Sequence, residues 1–346
     1  MTALKIELIR QISRSGPLTV AEYMTQCLLH PEHGYYTNAQ PFGRSGDFVT
    51  APEVSQMFGE MLGLALAQAW IDQGAPERFC LVELGPGRGT LMSDFLRVTR
   101  QVPGFLDAAE LHLIEASPVM RDTQRKTLEG FDLAHHDRLS DVPDGPLYLV
   151  ANEYFDCLPI HQFRKSKDGF QEIMVVADEE ELSFAMGAVQ GWQAQGAFVE
   201  TCPAALSDMI EIDRRISQNG GAAIIIDYGD WGSVNDTLQS IKGHAKIDPL
   251  ASPGESDLTA HVDFKPLAGV LEKTQPSRMT TQGVFLERLG ITKRAQQLVG
   301  RLSDEALENH IAAHRRLTHP DEMGNLFKVL GVTPKNAPLI AGLSKP

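Results

Sequence analysis

The sequence of 346 residues lacks any apolar run long enough to cross a membrane. Its apolar runs, such as Leu62–Ala67 and Ala222–Ile226, are far shorter than the roughly 18 residues that a membrane-spanning helix needs. The N-terminus also lacks the apolar segment of a secretory signal, and its apolar residues instead follow the spacing of an amphipathic helix. We therefore expect a protein without a membrane span, and the cytoplasm is the predicted compartment.

Cysteine is scarce and scattered. The sequence has 4 cysteines with no C-x-x-C pair, at Cys27, Cys80, Cys157 and Cys202. This spacing gives neither a recognisable zinc site nor a disulfide framework. Unpaired thiols suit a reducing compartment, and we expect no metal centre.

Basic residues are outnumbered by acidic ones. Lysine and arginine total 31 against 45 aspartates and glutamates, which gives a formal net charge of −14. Proteins that bind nucleic acid usually carry a basic stripe, so this balance predicts no nucleic-acid partner. An acidic surface is better matched to a cationic partner or substrate.

The middle of the chain alternates short apolar segments with helical patterns, which is typical of an α/β fold with a parallel sheet. The segments that indicate buried strands are Phe79–Leu84, Leu111–Glu115, Leu147–Ala151 and Ala222–Asp227. Each is almost uniformly apolar, as expected for a sheet covered on both faces.

The change from helical patterns to alternating strand and helix patterns predicts two domains. Residues 1–75 indicate a helical region that is interrupted by the long aromatic and glycine-rich loop His33–Glu53, a length typical of lids and binding loops. Residues 76–346 form the α/β domain, with insertions at about 160–190 and 230–265. We predict antiparallel strands in the first insertion and a long loop in the second.

The clearest motif is a glycine-rich turn between a predicted strand and a predicted helix. Its glycines are Gly85, Gly87 and Gly89, which permit a tight turn and close approach of the backbone to a ligand. A dinucleotide site would need a small residue where Thr90 stands. The observed spacing, with Glu83 before the first glycine, matches S-adenosylmethionine methyltransferases, in which the acid faces the ammonium group. A plain tight turn is the structural alternative.

Two acids further along fit the rest of a nucleoside. Glu115 ends the next predicted strand, where a carboxylate can accept hydrogen bonds from both ribose hydroxyls. Asp137 follows the third strand and is a candidate for the adenine amino group. The alternatives are a solvent-facing carboxylate at the strand end and an ordinary loop acid.

The candidate chemistry follows the fourth strand. At the end of that strand, where a methyl acceptor would meet the cofactor, lie Asn152, Glu153 and Asp156. The two carboxylates can hold a guanidinium through its fork of donors. Alternatively, Asn152 and Asp156 only bind N–H groups of a turn. His261 lies in a later loop and is a candidate base or pocket residue. No G-x-S-x-G motif supports a hydrolase.

Nine segments of the sequence together resemble the MidA-like family, and they span nearly the whole chain. They are Gly34–Tyr36, Gly46–Glu60, Val82–Leu91, Glu115–Pro118, Asn152–Phe163, Asp227–Gly229, Asp248–Phe264, Thr281–Gly283 and Leu326–Leu330. The resemblance implies S-adenosylmethionine as cofactor and a class I, Rossmann-like methyltransferase fold. That fold has a mostly parallel seven-stranded sheet with helices on both faces, here with an N-terminal helical cap and inserted antiparallel strands.

The resemblance also implies an activity. The mitochondrial member of the family is a complex I assembly factor that dimethylates an arginine of a core subunit symmetrically. A protein substrate, such as a core subunit of an NADH dehydrogenase, is therefore expected here. The Gly46–Glu60 segment makes Asp47, Thr50 and Glu53 candidates for a lid or substrate contact, and Asp227 is a further candidate. The double-glutamate hairpin of better-known arginine methyltransferases is not found.

Three functions compete at this point. The leading hypothesis is a protein arginine methyltransferase that acts during assembly of a respiratory complex. The second is a non-catalytic assembly chaperone that retains the cofactor fold. The third, an NAD(P)-dependent oxidoreductase, is disfavoured by Thr90. The sequence gives no oligomeric state.

Overall fold

A computed structural model describes residues 1–38, 49–191, 194, 196–232, 235–243, 245–300 and 302–346. The helices are α1 (Ala3–Ser15), α2 (Val20–Leu29), α3 (Tyr35–Asn38), α4 (Ala51–Val54), α5 (Gln56–Asp72), α6 (Thr90–Thr99), α7 (Phe105–Ala108), α8 (Pro118–Thr127), α9 (Pro203–Asn219), α10 (Phe264–Gly269), α11 (Gln282–Leu289), α12 (Ile291–Val299), α13 (Asp304–Thr318) and α14 (Met323–Leu326). Within these described ranges, no helix is both long and apolar enough to cross a membrane.

The strands are mostly short. They are β1 (Leu18–Thr19), β2 (Phe79–Leu84), β3 (Ala109–Ile114), β4 (Leu133–His136), β5 (Leu147–Asn152), β6 (His161–Ser166), β7 (Gly169–Asp178), β8 (Glu181–Gln190), β9 (Phe198–Thr201), β10 (Gly221–Asp230), β11 (Gln239–Lys242), β12 (Ala245–Ile247), β13 (Asp257–Thr259), β14 (Val262–Asp263), β15 (Thr274–Pro276), β16 (Thr280–Thr281) and β17 (Phe327–Pro334).

The chain divides into two compact units, each made of separate stretches. The first unit contains Met1–Phe48, Asp156–Leu206 and Gly232–Asp263, and the second contains Val49–Phe155, Ser207–Trp231 and Phe264–Pro346. The sequence placed the first boundary near residue 75. The observed boundary is earlier because α5 buries its apolar residues in the core of the second unit, whereas α1 and α2 contribute to the core of the first.

The second unit contains a mixed sheet with the strand order β15-β17-β10-β5-β2-β3-β4, and β16 also pairs with β17. The pairs from β10 through β5, β2 and β3 to β4 are parallel, whereas β17 is antiparallel to β10. All six residues of β2 and of β5 are buried, which explains why these segments are apolar rather than alternating. The predicted strands at these positions are confirmed.

Helices α5 and α6 approach each other closely beside this sheet. A Cβ at Gly59 would lie 2.8 Å from Leu91 O and 2.8 Å from Asp94 Cβ, and one at Gly63 would lie 3.2 Å from Phe95 Cα. The two glycines, four residues apart on one helix face, therefore permit this separation. The conformational cost of glycine inside a helix is offset by the packing that it allows.

A buried carboxylate fixes the same helix pair. Glu60 is fully buried in α5, and its carboxylate accepts hydrogen bonds from Arg97 of α6 at 2.7 Å and from Arg294 of α12 at 2.7 and 3.0 Å. Both arginines remain partly exposed, so the ion pairs keep some contact with water. The three helices are thus held in one arrangement by a charge network as well as by apolar contacts.

The first unit is built on an antiparallel sheet with the order β1-β7-β6-β9, in which β8 also pairs with β7. The predicted antiparallel strands of the first insertion are confirmed as β7 and β8. The prediction of a long loop at 230–265 is wrong, because β12, β11 and β13 form a small antiparallel sheet there. These strands of three or four residues are too short to give a recognisable periodicity.

Substitution Gly59→Ala tests the close helix contact. At an open helical position, replacing glycine by alanine usually stabilises the protein by about 0.5–1 kcal/mol. At Gly59 the added methyl would overlap the backbone of α6, so we expect the free energy of unfolding to fall by about 1–3 kcal/mol in urea titrations. Gly269→Ala, at a helical site with nothing within 4 Å, is the matched control and should not destabilise the protein. Equal effects of the two substitutions would contradict the packing argument.

Candidate active site

The parallel strands of the second unit bring their carboxyl ends to one edge of the sheet. Leu84 at the end of β2 is opposite Ile114 of β3 and Ala151 of β5, and Asn152 of β5 is opposite Ile226 of β10. Residues that follow these strand ends are therefore neighbours although they are far apart in sequence. Ligands of parallel α/β sheets bind at such an edge.

The glycine turn leaves β2 in a conformation that favours glycine. Gly85, Gly87 and Gly89 have φ angles of 61°, 52° and 81°, and Gly89 directly precedes α6. A Cβ at Gly85 would lie 2.9 Å from Cδ2 of Tyr154, whose hydroxyl donates to Asp208 at 3.0 Å. Positive φ and this close contact both require glycine at position 85. The prediction of a tight turn from strand to helix is confirmed.

Glu83 places a carboxyl group in the sheet without a hydrogen-bond partner for one of its oxygens. The residue is buried in β2, and Oε2 of its carboxyl group has no partner among the described residues. Burial, with a smaller contribution from the charge of Glu115, raises the pKa of Glu83 to about 8. An isolated buried carboxylate is costly, and an ammonium group would supply the missing charge and donors. Glu83 therefore fits the ammonium group of an amino-acid ligand.

Glu115 follows β3 directly, and its carboxylate is held by two donors. Oε1 accepts from the backbone N–H of Ser117 at 2.8 Å, and Oε2 accepts from Nε2 of Gln124 at 3.0 Å. Burial raises the pKa of Glu115, against the effect of these hydrogen bonds. Each carboxylate oxygen can accept more than one hydrogen bond, so the group still fits a pair of ribose hydroxyls.

Asp137 lies just beyond β4, where the sequence placed it. Its side chain is exposed and pairs with Arg121, which also donates to the backbone oxygen of Glu115. The role of Asp137 toward adenine stays a prediction.

Asn152 and Glu153 form a pair of hydrogen-bond acceptors at the end of β5. Oε1 of Glu153 accepts from Nδ2 of Asn152 at 2.9 Å and from the N–H of Ala51 at 3.0 Å. The buried Oδ1 of Asn152 has no partner in the described structure. Burial raises the pKa of Glu153 to about 6, while the two N–H donors and the charge of Arg316 oppose the rise. Glu153 also has a φ of 54°, which is unusual for a residue other than glycine.

The segment before α5 connects this pair to the glycine turn. Thr50 directly precedes α4, and the N–H of Ala51 binds Glu153 as described above. Oε1 of Glu53 accepts from the hydroxyl of Thr90 at 2.6 Å, and Oε2 lies 3.8 Å from Nη1 of Arg88. These contacts place Glu53 beside the start of α6. The roles of Thr50 and Glu53 toward a substrate stay predictions. Asp47 lies outside the described residues.

Asp227 is fully buried and binds backbone groups. Its carboxylate oxygens accept from the N–H groups of Phe155 and Tyr228, both at 2.9 Å. These hydrogen bonds tie the end of β10 to the segment that follows β5. The role of Asp227 as a substrate contact stays a prediction.

Asp156 and His261 belong to the first compact unit, not to the second. Asp156 is buried, and its backbone oxygen accepts from the N–H of Ala260 at 2.9 Å. His261 is exposed, and its N–H donates to the hydroxyl of Thr237 at 3.0 Å. The predicted pairing of Glu153 with Asp156 therefore joins residues of two units and stays a prediction, as does the role of His261.

Gln124 is the residue of this site that the sequence reasoning missed. It lies in α8, is fully buried, and donates from Nε2 both to Glu115 and to the backbone oxygen of Gly87 at 2.7 Å. The signal was a glutamine four residues after Met120 on an otherwise polar helix, which puts both residues on one face. Among the described residues, no group of three or more histidine, cysteine or acidic side chains could hold a metal ion.

Comparison with protein families gives one clear match. Residues 61–283 match the model of a family described as "Putative S-adenosyl-L-methionine-dependent methyltransferase". The matched range includes the glycine turn, Glu115 and the Asn152–Glu153 pair.

Curated relatives are similar over almost the full chain. A Xenopus tropicalis protein is 36% identical, covering 99% of this chain and 90% of its own length, and the Homo sapiens protein is 34% identical, covering 96% and 84%. Both are named "Protein arginine methyltransferase NDUFAF7, mitochondrial".

A solved structure is also similar. A "likely methyl transferase" from Burkholderia thailandensis, bound to S-adenosyl-homocysteine, superposes with a TM-score of 0.85 at 27% identity, covering 98% of this chain and 94% of the other.

Substitution Glu83→Gln should separate stability from ligand binding. Because the folded protein retains a proton on Glu83 that the unfolded chain releases, the stability of the unliganded protein should fall as pH rises from about 4.5 to about 8. The substitution removes this loss. At pH 8 we therefore expect the free energy of unfolding of the variant, measured by urea titration, to exceed that of the wild type by a few kcal/mol. Binding of S-adenosylhomocysteine should weaken about 100-fold or more in calorimetry.

The control is Glu110→Gln, which changes a half-buried acid of neighbouring β3 that is paired with Arg78. It should leave ligand binding and the dependence of stability on pH nearly unchanged. Wild-type ligand affinity in the Glu83 variant would contradict the assignment of this carboxyl group.

Proposed function

This chain belongs to the family of S-adenosyl-L-methionine-dependent methyltransferases that its sequence matches, and on that premise we propose that it methylates the guanidinium group of an arginine in a protein substrate. The family match decides between the two cofactor classes left open by the glycine spacing, in favour of S-adenosylmethionine. When bound, this cofactor supplies an electrophilic methyl group on a sulfonium.

Four features of the second unit would hold the cofactor. Glu83 would bind the ammonium group, because its buried Oε2 has no other partner. Glu115 would bind the ribose hydroxyls through a carboxylate fixed by two N–H donors. The positive φ angles of the glycine turn would allow the backbone to approach the ligand between them. Asp137 would contact the adenine amino group.

The observation that carries the arginine assignment is the acceptor pair at the end of β5. A guanidinium presents a planar fork of N–H donors and no acceptor. Oδ1 of Asn152 is buried without a partner, and it lies beside the carboxylate of Glu153 because the two side chains share a hydrogen bond. Together they offer an amide oxygen and a carboxylate where better-known arginine methyltransferases use two glutamates.

Glu153 is also suited to the proton that methylation releases. Oε1 already accepts two N–H groups, so we assign Oε2 to the substrate. With a pKa near 6, the carboxylate is ionised at neutral pH and can polarise the guanidinium before transfer and accept its proton afterwards. Positioning and removal of water provide the remaining contribution to an in-line displacement.

The proposed partner is a core subunit of an NADH dehydrogenase during assembly. The family resemblance and the names of the arginine methyltransferase relatives support this choice, and the net charge of −14 suits a cationic acceptor. Those relatives carry the word "mitochondrial" in their names, whereas the cytoplasm stays our prediction for this chain.

We extend the proposal to the finer features of the fold. The strand order β15-β17-β10-β5-β2-β3-β4 supports a class I arrangement with seven principal strands, and we propose that helices cover both faces of this sheet. The segment around α4 would serve as its lid, and the N-terminal helical cap stays a prediction.

Substitution Glu153→Gln tests the acceptor site and separates an enzyme from a chaperone. We expect kcat to fall about 100-fold or more, because the substrate loses its ionised acceptor, while affinity for S-adenosylhomocysteine stays within about threefold. At saturating S-adenosylmethionine, where Glu83 is already engaged, the wild-type kcat/KM for the protein substrate should fall about tenfold per pH unit below the Glu153 pKa of about 6, and the variant should lose this dependence. Mass spectrometry of NADH dehydrogenase core subunits coexpressed with each variant measures methylarginine.

The control is Glu129→Gln, an exposed acid in the same unit, which should retain wild-type turnover. Full assembly of the respiratory complex with the Glu153 variant, without methylarginine, would favour the chaperone. Unmodified arginines in the presence of wild-type enzyme with its cofactor would refute the proposed substrate.

A further inference from the structure

Gln124 is an unusual residue for a surface helix. Helix α8 has ten residues, and only Met120 and Gln124 are buried, with Gln124 completely inaccessible. Burying an amide is costly unless every polar atom finds a partner. Its position therefore requires a specific polar environment, which the ends of the neighbouring strands provide.

The amide connects three successive strand ends of the sheet. Nε2 donates to the backbone oxygen of Gly87, after β2, at 2.7 Å and to Oε2 of Glu115, after β3, at 3.0 Å. Oε1 lies 2.8 Å from Nε2 of His135 in β4. One side chain thus makes hydrogen bonds to the glycine turn, to the acid after β3 and to the next strand.

The orientation of the amide follows from its partners. The oxygen of Gly87 and the carboxylate of Glu115 can only accept, so the NH₂ group must face them. The amide oxygen then accepts from His135, which must carry its proton on Nε2. Burial and the nearby arginines lower the pKa of His135 to about 4, so the imidazole is neutral at physiological pH. All three polar positions of the amide are satisfied in this arrangement.

We propose that Gln124 is a positioning residue for the cofactor, which fixes the carboxylate of Glu115 toward the ribose and the backbone of Gly87 in the glycine turn. This inference rests on the proposed assignment of Glu115 to the ribose. The N–H of Ser117 holds the other oxygen of that carboxylate, so without Gln124 the Oε2 atom would lose its side-chain donor and the group could rotate. The hydroxyl-binding geometry would then be lost while the acid itself remains.

The test compares two ligands that differ only in the ribose. Calorimetry measures the dissociation constants of S-adenosylhomocysteine and of its 2′,3′-dideoxy analogue for the wild-type full-length protein, Gln124→Met and Glu115→Gln. The dissociation constant of the dideoxy analogue divided by that of S-adenosylhomocysteine reports how well the protein recognises the hydroxyls. In Gln124→Met we expect this ratio to fall about tenfold, with nearly the whole loss in binding of the natural ligand. In Glu115→Gln it should approach one.

A purely structural role would change both constants equally. Met120→Ala serves as the matched control, because it removes the other buried side chain of α8 and leaves the amide network in place. It should lower the melting temperature without changing the ratio. Steady-state kinetics gives a second readout, since Gln124→Met should raise KM for S-adenosylmethionine more than it lowers kcat.

Each result has a distinct meaning. An unchanged ratio in Gln124→Met, beside a reduced ratio in Glu115→Gln, would overturn the role of Gln124 and leave the ribose assignment intact. An unchanged ratio in Glu115→Gln would overturn both the role of Gln124 and the assignment of Glu115 to the ribose. Failure of the wild type to bind S-adenosylhomocysteine at all would refute the proposed function itself.

Discussion

The parallel pairing of β2, β3, β5 and β10 is the constraint on which the site depends. Because the strands run in one direction, the segments that follow them emerge at one edge of the sheet. Glu83, Glu115 and the Asn152–Glu153 pair become neighbours for this reason alone. The apolar strands bury these polar groups. Leaving such groups unpaired in the free protein costs free energy, and a ligand that pairs with them recovers it. The buried charge network of α5, α6 and α12 holds helices beside the same sheet.

Several polar atoms of the unliganded protein are left unpaired. The described residues include five buried side-chain atoms without a partner, on Glu83, His112, Tyr148, Asn152 and Gln282. Those of Glu83 and Asn152 belong to the ends of two adjacent strands. By contrast, all three polar positions of the Gln124 amide have partners within the protein. We interpret Glu83 and Asn152 as groups that meet ligands and Gln124 as a group that positions the residues around them.

The sequence predicts much of the second unit because its strands are continuous apolar segments bounded by glycine or acidic residues. The glycine turn, Glu83 near the end of β2 and Glu115 directly after β3 could be located from spacing alone. Gln124 was missed because its importance lies in contacts with residues 9 to 37 positions away, which no local pattern records. The short strands β11, β12 and β13 were missed because three or four residues carry too little periodicity. The relation of Asp156 to Glu153 depends on how the chain passes between units, which local spacing does not encode.

The central claim is that the buried carboxyl group of Glu83 receives the ammonium group of the cofactor. The most direct measurement is calorimetry of S-adenosylhomocysteine binding at pH 7 in buffers with different ionisation enthalpies. With a pKa of about 8 in the free protein, Glu83 is mostly protonated, so binding of an ammonium group should release about one proton per site. A binding enthalpy that does not depend on the buffer would show that Glu83 keeps its proton and would contradict the account.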